Sequence, residues 1–337
     1  MKHIKILLAI CSLLIIGAIM VACNQIAGSQ EGGEEKSGTD GLEFYPINDS
    51  ECAVSAGSAR LLEEIVIPER YENYIVTSIL GNNVSNVDAL GNSIGGFANC
   101  TNLKKITIPK TIKSIGDAAF YNCFNLQSIE IPDGISEIGD YAFANCKNLT
   151  SIIIPESTKN VSYAFLGCER LADVYYKGTI GQFCVIDVFG GWGNRKDGYN
   201  LYIDNKLLTV AEIPYGVKDI SSEAFRRCAS LSSVVIPASV RQIGFYSFAE
   251  CTNLVKLVFT DGCSATLISG QFKSCVNLCS ITIPTSIARI ETGTFNNCGK
   301  ITDVYYLGNE EQWENIWFGP IDEEIENATQ HYNYIVE

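Results

Sequence analysis

The sequence predicts a repeat solenoid, with short parallel strands on one face and short helices, 3-10 turns or irregular arcs on the other. Three observations support this fold class. Cysteine recurs every 23 residues from Cys100 to Cys146, and proline does so from Pro109 to Pro155. A fixed spacing of about 20–50 residues is typical of stacked repeats. Hydrophobic residues form 47% of the chain and charged residues only 18%, which favours a buried core over a disordered chain.

Ten segments of the pattern Leu-x-x-Ile-x-Ile, or close variants of it, are predicted to be the strands. Alternating β-branched residues favour a strand, and the proline that often follows ends it because proline has no N–H to donate. The first copy is followed by Tyr71–Gly96, whose Asn, Gly and Ser content predicts an exposed loop. The ten segments begin at Leu62, Leu103, Leu126, Leu149, Leu171, Leu208, Leu231, Leu254, Leu278 and Ile301.

The stretch between two strands repeats the pattern Ile-Gly-x-x-Ala-Phe-x-x-Cys, as in Ile115–Cys123 and Ile138–Cys146. We expect the glycine to turn the chain, and Asp117 and Asp140 to cap a short helical turn. The phenylalanines of this pattern, such as Phe143, are predicted to point inward. One coil cannot bury its own apolar edge, so the core is predicted to exist only between stacked coils.

Eight of the 14 cysteines occupy one repeat position and are interpreted as a structural ladder. Cysteine packs as a small hydrophobic side chain, and the same position in every coil is what a buried row needs. Disulfides or a metal site are the alternatives, and the cysteines outside this register leave pairing open. The ladder is Cys100, Cys123, Cys146, Cys168, Cys228, Cys251, Cys275 and Cys298. Of the remaining six, Cys11 and Cys23 lie near the N-terminus, and Cys52, Cys184, Cys263 and Cys279 lie outside the register of the ladder.

Residues 1–22 are predicted to be an export signal, because a short basic start precedes an apolar run. The Met-Val-Ala triplet before Cys23 resembles a bacterial lipobox, which implies cleavage before Cys23 and acylation of its thiol. An uncleaved anchor or an ordinary signal peptide is the alternative. Residues 23–42 are rich in Gly, Ser and Glu, and this composition predicts a flexible tether.

The rest of the chain is predicted to form two repeat blocks, 43–200 and 201–337. Val174–Ile186 and Val304–Ile316 align with a constant offset of 130 residues, so each block is expected to contain a Tyr-Tyr-x-Gly element followed by a helix that carries an aromatic residue. In the first block an insertion then bulges or kinks the solenoid. In the second, Gly308–Glu337 is predicted to cap the last coil, with His-Tyr-Asn-Tyr-Ile-Val as the last strand, because a terminal repeat needs a cover.

The combined pattern Leu-x-x-Ile-x-Ile-Pro-x-x-Ile-x-x-Ile-Gly-x-x-Ala-Phe-x-x-Cys resembles the leucine-rich repeat of the BspA type, found in surface proteins of host-associated bacteria and of some protozoa. The resemblance covers about residues 44–337. It implies a leucine-rich repeat fold. It also implies an exported, surface-exposed protein that adheres to host matrix proteins or to other bacteria.

Charge and histidine content argue against several classes of function. The formal net charge of −14 repels nucleic-acid phosphates, and no basic stripe offsets it, so no nucleic-acid partner is expected. His3 lies in the predicted export signal, which leaves His331 as the one histidine available as a base for a nucleophile. We therefore expect no catalytic residue, no metal site and no cofactor, and interpret His331 as a surface or packing residue.

The outward positions of the strands are predicted to form a binding face for an extended host or bacterial surface protein, or for a glycan. The simpler alternative is that the small side chains there only satisfy β-propensity. The predicted function is non-enzymatic adhesion or protein recognition by a lipid-anchored envelope protein; a glycan-binding or envelope-structural lipoprotein is the alternative. The candidate ligand-binding residues are Lys105, Glu130, Asp173, Tyr175, Asp303 and Tyr305.

Acylation of Cys23 is directly testable by metabolic labelling with a fatty-acid analogue. Cys23→Ala is expected to abolish the label, because its thiol is the acceptor, whereas Cys11→Ala is expected to retain it. The labelled protein is also expected to fractionate with membranes, since two acyl chains anchor stably where one does not. A Cys23→Ala protein that still carries the label contradicts the prediction.

Overall fold

A β-solenoid accounts for the part of the chain that the computed structural model describes, which is residues 38–81, 95–193, 195–319, 325 and 327–335. Successive coils stack so that strands of neighbouring coils pair in parallel. The predicted fold class is confirmed. The predicted export signal, Cys23 and the predicted tether up to residue 37 lie outside the described residues.

Short strands dominate the described secondary structure, with one 3-10 helix and two short α-helices. The strands are β1 (Glu43–Pro46), β2 (Glu51–Ser55), β3 (Glu64–Val66), β4 (Arg70–Tyr71), β5 (Tyr74–Ile79), β6 (Lys105–Thr107), β7 (Ser114–Ile115), β8 (Ser128–Glu130), β9 (Ser151–Ile154), β10 (Asp173–Tyr176), β11 (Asn200–Ile203), β12 (Lys206–Leu207), β13 (Val210–Glu212), β14 (Asp219–Ile220), β15 (Ser233–Ile236), β16 (Gln242–Ile243), β17 (Lys256–Phe259), β18 (Ser280–Ile283), β19 (Arg289–Ile290), β20 (Asp303–Tyr306), β21 (Trp317–Phe318) and β22 (Thr329–His331). The 3-10 helix is Gly57–Leu61, and the α-helices are α1 (Ile180–Phe183) and α2 (Glu310–Glu314).

All ten predicted strand segments form strands, and their outward side chains make up the strand face. β8 to β11 form one parallel ladder, which the antiparallel β12 ends; β13, β15, β17, β18, β20 and β22 form a second, and β3 pairs with β6. In the first ladder, Ile152 lies opposite Val174, which lies opposite Leu201. All three side chains are buried, so this register builds a continuous inner row of aliphatic residues.

The opposite side, the turn face, is built from the Ile-Gly-x-x-Ala-Phe-x-x-Cys segments. In several copies the first isoleucine ends a two-residue strand, and the rest of the segment consists mainly of turns. Asp117 and Asp140 do not cap helices as predicted: the Asp140 N–H donates to Asp117 Oδ1 in the preceding coil at 2.9 Å. Tyr141 and Asn145 bend the coil with φ angles of 58° and 60°. Gly139 does not turn the chain; a Cβ there would lie 2.4 Å from the Asp117 nitrogen, so glycine permits the close approach of two coils.

A continuous column of buried aromatic rings runs through the core. Ring centroids are 5.3 Å apart between Phe97 and Phe120 and 5.0 Å apart between Phe120 and Phe143. Stacked pairs of this kind add about 0.5–1.5 kcal/mol each beyond the burial of the rings. In order of contact the column consists of Phe97, Phe120, Phe143, Phe165, Trp192, Phe183, Phe225, Phe248, Phe272 and Phe295.

The eight cysteines of the repeat position are buried free thiols. Six of them donate a hydrogen bond to the carbonyl of a phenylalanine in the preceding coil. Cys123 Sγ, for example, lies 3.1 Å from Phe97 O. Burial raises the pKa of the Cys168 thiol to about 12 and that of Cys228 to about 11. The proton needed for the hydrogen bond is therefore retained at neutral pH.

The segment after α1 is a coil of its own and not the predicted bulge. Its strand β11 continues the first ladder, and its Trp192 and Tyr199 are buried in the core. Both side chains donate to the carbonyl of Ala224 in the next coil, at 3.2 and 3.4 Å. Trp192 also stacks between Phe165 and Phe183 at 5.8 and 5.6 Å. The strand ladder is interrupted between β12 and β13, but the aromatic column is not.

The N-terminal end carries a five-stranded sheet formed by β1, β2, β4, β5 and β7. Strand β5 contradicts the exposed loop predicted for Tyr71–Gly96, because its Val76 and Ile79 are fully buried. Four of the five asparagines of that stretch lie in residues 82–94, which are outside the described residues. The prediction from composition therefore missed strand β5 at the start of this stretch.

The last residues of the predicted tether are docked on the first coil. Thr39 N donates to Val66 O at 3.0 Å, and Val66 N donates to Thr39 Oγ1 at 2.7 Å. These two hydrogen bonds remove the freedom expected of a tether at Thr39. The tether predicted for residues 23–42 therefore does not extend beyond Gly38.

The two predicted Tyr-Tyr-x-Gly elements adopt the same local structure 130 residues apart. Thr179 caps α1 and Asn309 caps α2, each in a reciprocal capping box with the glutamine three residues on. The ring of Tyr176 packs edge-on against that of Phe183 at 5.5 Å. In the second copy the Tyr306 and Trp313 rings make the equivalent contact, at 5.2 Å.

The last described strand is β22, which lies before most of the predicted His-Tyr-Asn-Tyr-Ile-Val strand. Its first residue, Thr329, lies opposite Asp303 of β20. The strand ends at His331, and Asn333 then adopts a φ of 54°. Tyr334 N still donates to Tyr306 O, at the end of β20, at 3.1 Å. The prediction was therefore correct about a final strand and wrong about its bounds.

The aromatic column predicts that two phenylalanines of one coil differ sharply in their effect on stability. Phe120 is fully buried in the column, whereas Phe124 is 36% exposed. Phe120→Ala is expected to lower the free energy of unfolding by about 3–5 kcal/mol, and Phe124→Ala by less than about 1 kcal/mol. Urea unfolding followed by circular dichroism measures both changes. Similar losses of unfolding free energy in the two variants would contradict the stabilising role of the aromatic column.

Thiol accessibility tests the cysteine ladder. Among the described cysteines only Cys279 is not fully buried, so a maleimide at pH 8 is expected to label Cys279 before the ladder thiols, which react after denaturation. Peptide mapping by mass spectrometry locates the label, and Cys279→Ser is the control. Non-reducing mapping that finds ladder cysteines in disulfides would overturn the interpretation.

The raised thiol pKa values also predict the effect of alkaline pH. The folded Cys168 thiol has a pKa of about 12 against an ordinary value of 9.0, so the unfolded chain loses this proton first. The free energy of unfolding that the buried, protonated Cys168 contributes is fully present below about pH 9. It is lost as the pH rises towards about 12. The urea midpoint is expected to fall over this range, and to fall less steeply in Cys168→Ala.

Candidate ligand-binding face

Lys105 and Glu130 lie on β6 and β8, where they line an open depression of about 550 Å³ in the strand face. Lys177, from the end of β10, reaches this depression and donates to Glu130 Oε1 at 3.0 Å and to Asp133 Oδ1 at 3.3 Å. The hydrogen bond to Glu130 raises the pKa of Lys177. Exposed ion pairs contribute only about 0–1 kcal/mol, so this group sets the charge pattern of the face more than it stabilises the fold.

Asp173 and Tyr175 form a second group on β10, together with two partners on β11. The rings of Tyr175 and Tyr202 stack with centroids 4.4 Å apart and planes 17° apart. Asn200 Nδ2 donates to Asp173 Oδ1 at 2.9 Å. Each ring covers one face of the other, so ring edges, phenol groups and the Asp173 carboxylate are what the pair chiefly offers to a partner.

Asp303 and Tyr305 form the equivalent group on β20. Tyr305 stacks on His331 of β22 at 4.7 Å, and the ring of Tyr334 lies 4.6 Å from it at a tilt. His331 Nε2 lies 2.7 Å from Asp303 Oδ1. The hydrogen bond with His331 lowers the pKa of Asp303, so this carboxylate keeps its charge below the pH at which an ordinary aspartate becomes protonated.

The six candidate residues therefore fall into three groups along the strand face. Not all outward positions are available, because Val258 of β17 and Thr282 of β18 are buried, contrary to prediction. Of the partner residues, Tyr202 and Tyr334 were not singled out in the sequence, whereas His331 was interpreted there as a surface or packing residue and packs on Tyr305. The signal for Tyr202 was present in Asn-Leu-Tyr-Ile, which repeats the tyrosine position of Asp-Val-Tyr-Tyr in β10.

The chemistry of these groups is that of noncovalent recognition. They present hydrogen-bond donors and acceptors, fixed charges and the edges of aromatic rings, which are typical of protein-binding surfaces. Within residues 38–81, 95–193 and the later described ranges, no group of three or more His, Cys, Asp or Glu side chains is placed to hold a metal ion. No helix in the described part of the chain has the length and apolar character needed to cross a membrane.

Comparison with protein families assigns the repeats. The model of the BspA type leucine-rich repeat region matches residues 80–185 and 198–319, in six copies. The chain belongs to this family. Membership of the BspA-type repeat family is consistent with a binding or recognition role that the repeats carry. Comparison with curated proteins finds no match.

Several solved structures are similar to this BspA-type chain. A leucine-rich cell surface protein of Faecalibacterium prausnitzii is 21% identical, over 86% of this chain and 99% of that chain, with a TM-score of 0.30. A leucine-rich repeat protein of T. pallidum is 23% identical, over 74% and 91%, with a TM-score of 0.39. The pneumococcal vaccine antigen PcpA is 15% identical, over 90% and 89%, with a TM-score of 0.46.

Proposed function

We propose that this BspA-type protein is a non-enzymatic recognition protein that binds an extended segment of a host or bacterial surface protein along its strand face. The observation that carries the proposal is the repeated aromatic and acidic group, Asp173 with Tyr175 and Asp303 with Tyr305. Both groups lie on the strand face, and aromatic residues are where binding energy concentrates in interfaces. Adhesion to host matrix proteins or to other bacteria is the biological role we propose for this binding.

The geometry of the aromatic pairs favours a protein over a glycan. A sugar ring binds flat on an aromatic face, and the Tyr175–Tyr202 stack at 4.4 Å already covers one face of each ring. Ring edges and phenol groups are suited to contact peptide groups and apolar side chains. The neighbouring Asp173 carboxylate, bonded to Asn200, supplies a fixed acceptor for a backbone N–H or a basic side chain.

The two groups lie in equivalent positions of the two ladders. One partner that contacts both gains affinity without new contacts, because the second contact becomes intramolecular. We also propose that the protein is exported and held at the cell envelope through a lipid on Cys23. In this arrangement the membrane contact is the lipid alone, and the solenoid is displayed outside.

A double substitution tests the strand face. Tyr175→Ser with Tyr305→Ser removes both stacked rings, so binding to an array of soluble host and bacterial surface proteins is expected to weaken by about tenfold or more. Tyr215→Ser is the matched control, because Tyr215 lies in a turn and is 84% exposed. The melting temperature of each variant is recorded in parallel.

The outcomes separate recognition from structure. Weaker binding by a double variant with an unchanged melting temperature supports the strand face. Unchanged binding with a lowered melting temperature means that the two tyrosines stabilise the ends of the ladders and do not bind the partner, which contradicts the proposal. Strong binding to a polysaccharide array with none to proteins replaces the protein partner by a glycan.

A further inference from the structure

A groove on the turn face lies where the first ladder gives way to the second. Two depressions of about 320 Å³ each are both lined by Arg226 and Arg227. One continues to Tyr163 and Phe189, and the other to Lys273. We call the two together the junction groove. It shares no residue with the three groups of the strand face.

One wall of the junction groove is aromatic and exposed. The rings of Tyr163 and Phe189 meet edge-on at 5.3 Å, and Tyr141 stacks on Tyr163 at 5.3 Å. Phe189 is 50% exposed. Covering a large apolar side chain with a partner lowers the free energy, so this ring favours binding. A Cβ on Gly190 would lie 2.8 Å from Tyr163 Cδ1, so glycine at this position permits the close contact of ring and backbone.

The centre of the groove holds two arginines in fixed orientations. Arg226 donates to Glu250 through Nε and Nη2 and to Glu223 through Nη1, at 2.8–3.1 Å. The side chain of Arg227 donates through Nε to Glu250 Oε2 at 2.8 Å. Among the described residues no hydrogen bond or ion pair is recorded for Nη1 or Nη2 of Arg227, whose side chain is 31% exposed. These nitrogens are therefore positioned to receive a carboxylate in a bidentate manner.

The charge of the lining favours an acidic partner. The groove has four basic and three acidic side chains, namely Arg226, Arg227, Lys196 and Lys273 against Glu223, Glu250 and Asp197. The chain as a whole carries a net charge of −14. The small local excess of positive charge makes this place less repulsive to a negatively charged segment than the rest of a strongly acidic chain.

We propose that the junction groove is a second protein-binding site, which accepts an acidic peptide segment whose aromatic side chain is followed by a carboxylate. The aromatic side chain packs against Phe189 and Tyr163. The carboxylate accepts two hydrogen bonds from Arg227. Lys273, which lines the second depression, adds longer-range attraction for the acidic peptide. Because Glu250 already holds Arg227 in place, little side-chain freedom is lost on binding.

Fluorescence anisotropy with labelled peptides tests the junction groove on the full protein. The probe is Gly-Ser-Phe-Asp-Asp-Ser-Gly; one control peptide has Asn for both Asp residues, and another has Ala for Phe. The probe is expected to bind saturably, and each control peptide to bind about tenfold more weakly, because a charge-assisted hydrogen bond or a buried ring is lost. No saturable binding of the probe, or equal affinity for all three peptides, overturns the proposal.

Two variants locate the binding. Arg227→Gln and Phe189→Ser are each expected to weaken probe binding by about tenfold. Arg70→Gln is the control, because Arg70 lies on β4 and lines neither depression of the groove, and it is expected to leave probe binding unchanged. The double variant of Tyr175 and Tyr305 is also expected to bind the probe normally, which separates this site from the strand face. Unchanged affinity in both groove variants, with melting temperatures equal to that of the parent, contradicts the site.

Discussion

The stacking of one coil on the next is the interaction on which the whole structure depends. A coil of about 23 residues has an apolar edge on each side and no means of covering it alone. The aromatic column covers these edges most directly, because each ring between its two end members, Phe97 and Phe295, packs against a ring on either side. Where the strand ladder is interrupted, Trp192 and Phe183 continue the column. The two ladders therefore share a single continuous core.

Stacking also explains why so many positions repeat. The cysteine thiols donate to carbonyls of the preceding coil, and Asn145 Nδ2 donates to Asn122 Oδ1 one coil earlier at 3.1 Å. A residue that both donates to one neighbour and accepts from the other extends a row without leaving a polar atom unsatisfied. The same register places Tyr202 beside Tyr175 and Asn200 beside Asp173 on the strand face. The candidate binding groups are therefore products of the stacking register.

The two faces of the solenoid differ because their backbones differ. Strands present alternate residues outward in straight rows, so the strand face suits an extended partner. The turn face follows tight turns with residues at positive φ, and its outward side chains vary from coil to coil. The coil that carries Phe189 and Trp192 departs most from the repeat, and this departure creates the junction groove.

The sequence by itself determined the repeat unit, the ten strands and their order, because these depend on local spacing and on the period of two along a strand. It also determined the equivalence of the two Tyr-Tyr-x-Gly elements, since the capping residues Thr179 and Asn309 act within one turn. Only the tertiary structure decided that Gly139 serves close packing, that Asp117 bonds the next coil, and that β5 is buried. It alone placed His331 against Tyr305 and brought Phe189 near Arg227. These contacts join residues in different coils, and the distance between coils, which local spacing does not encode, decides them.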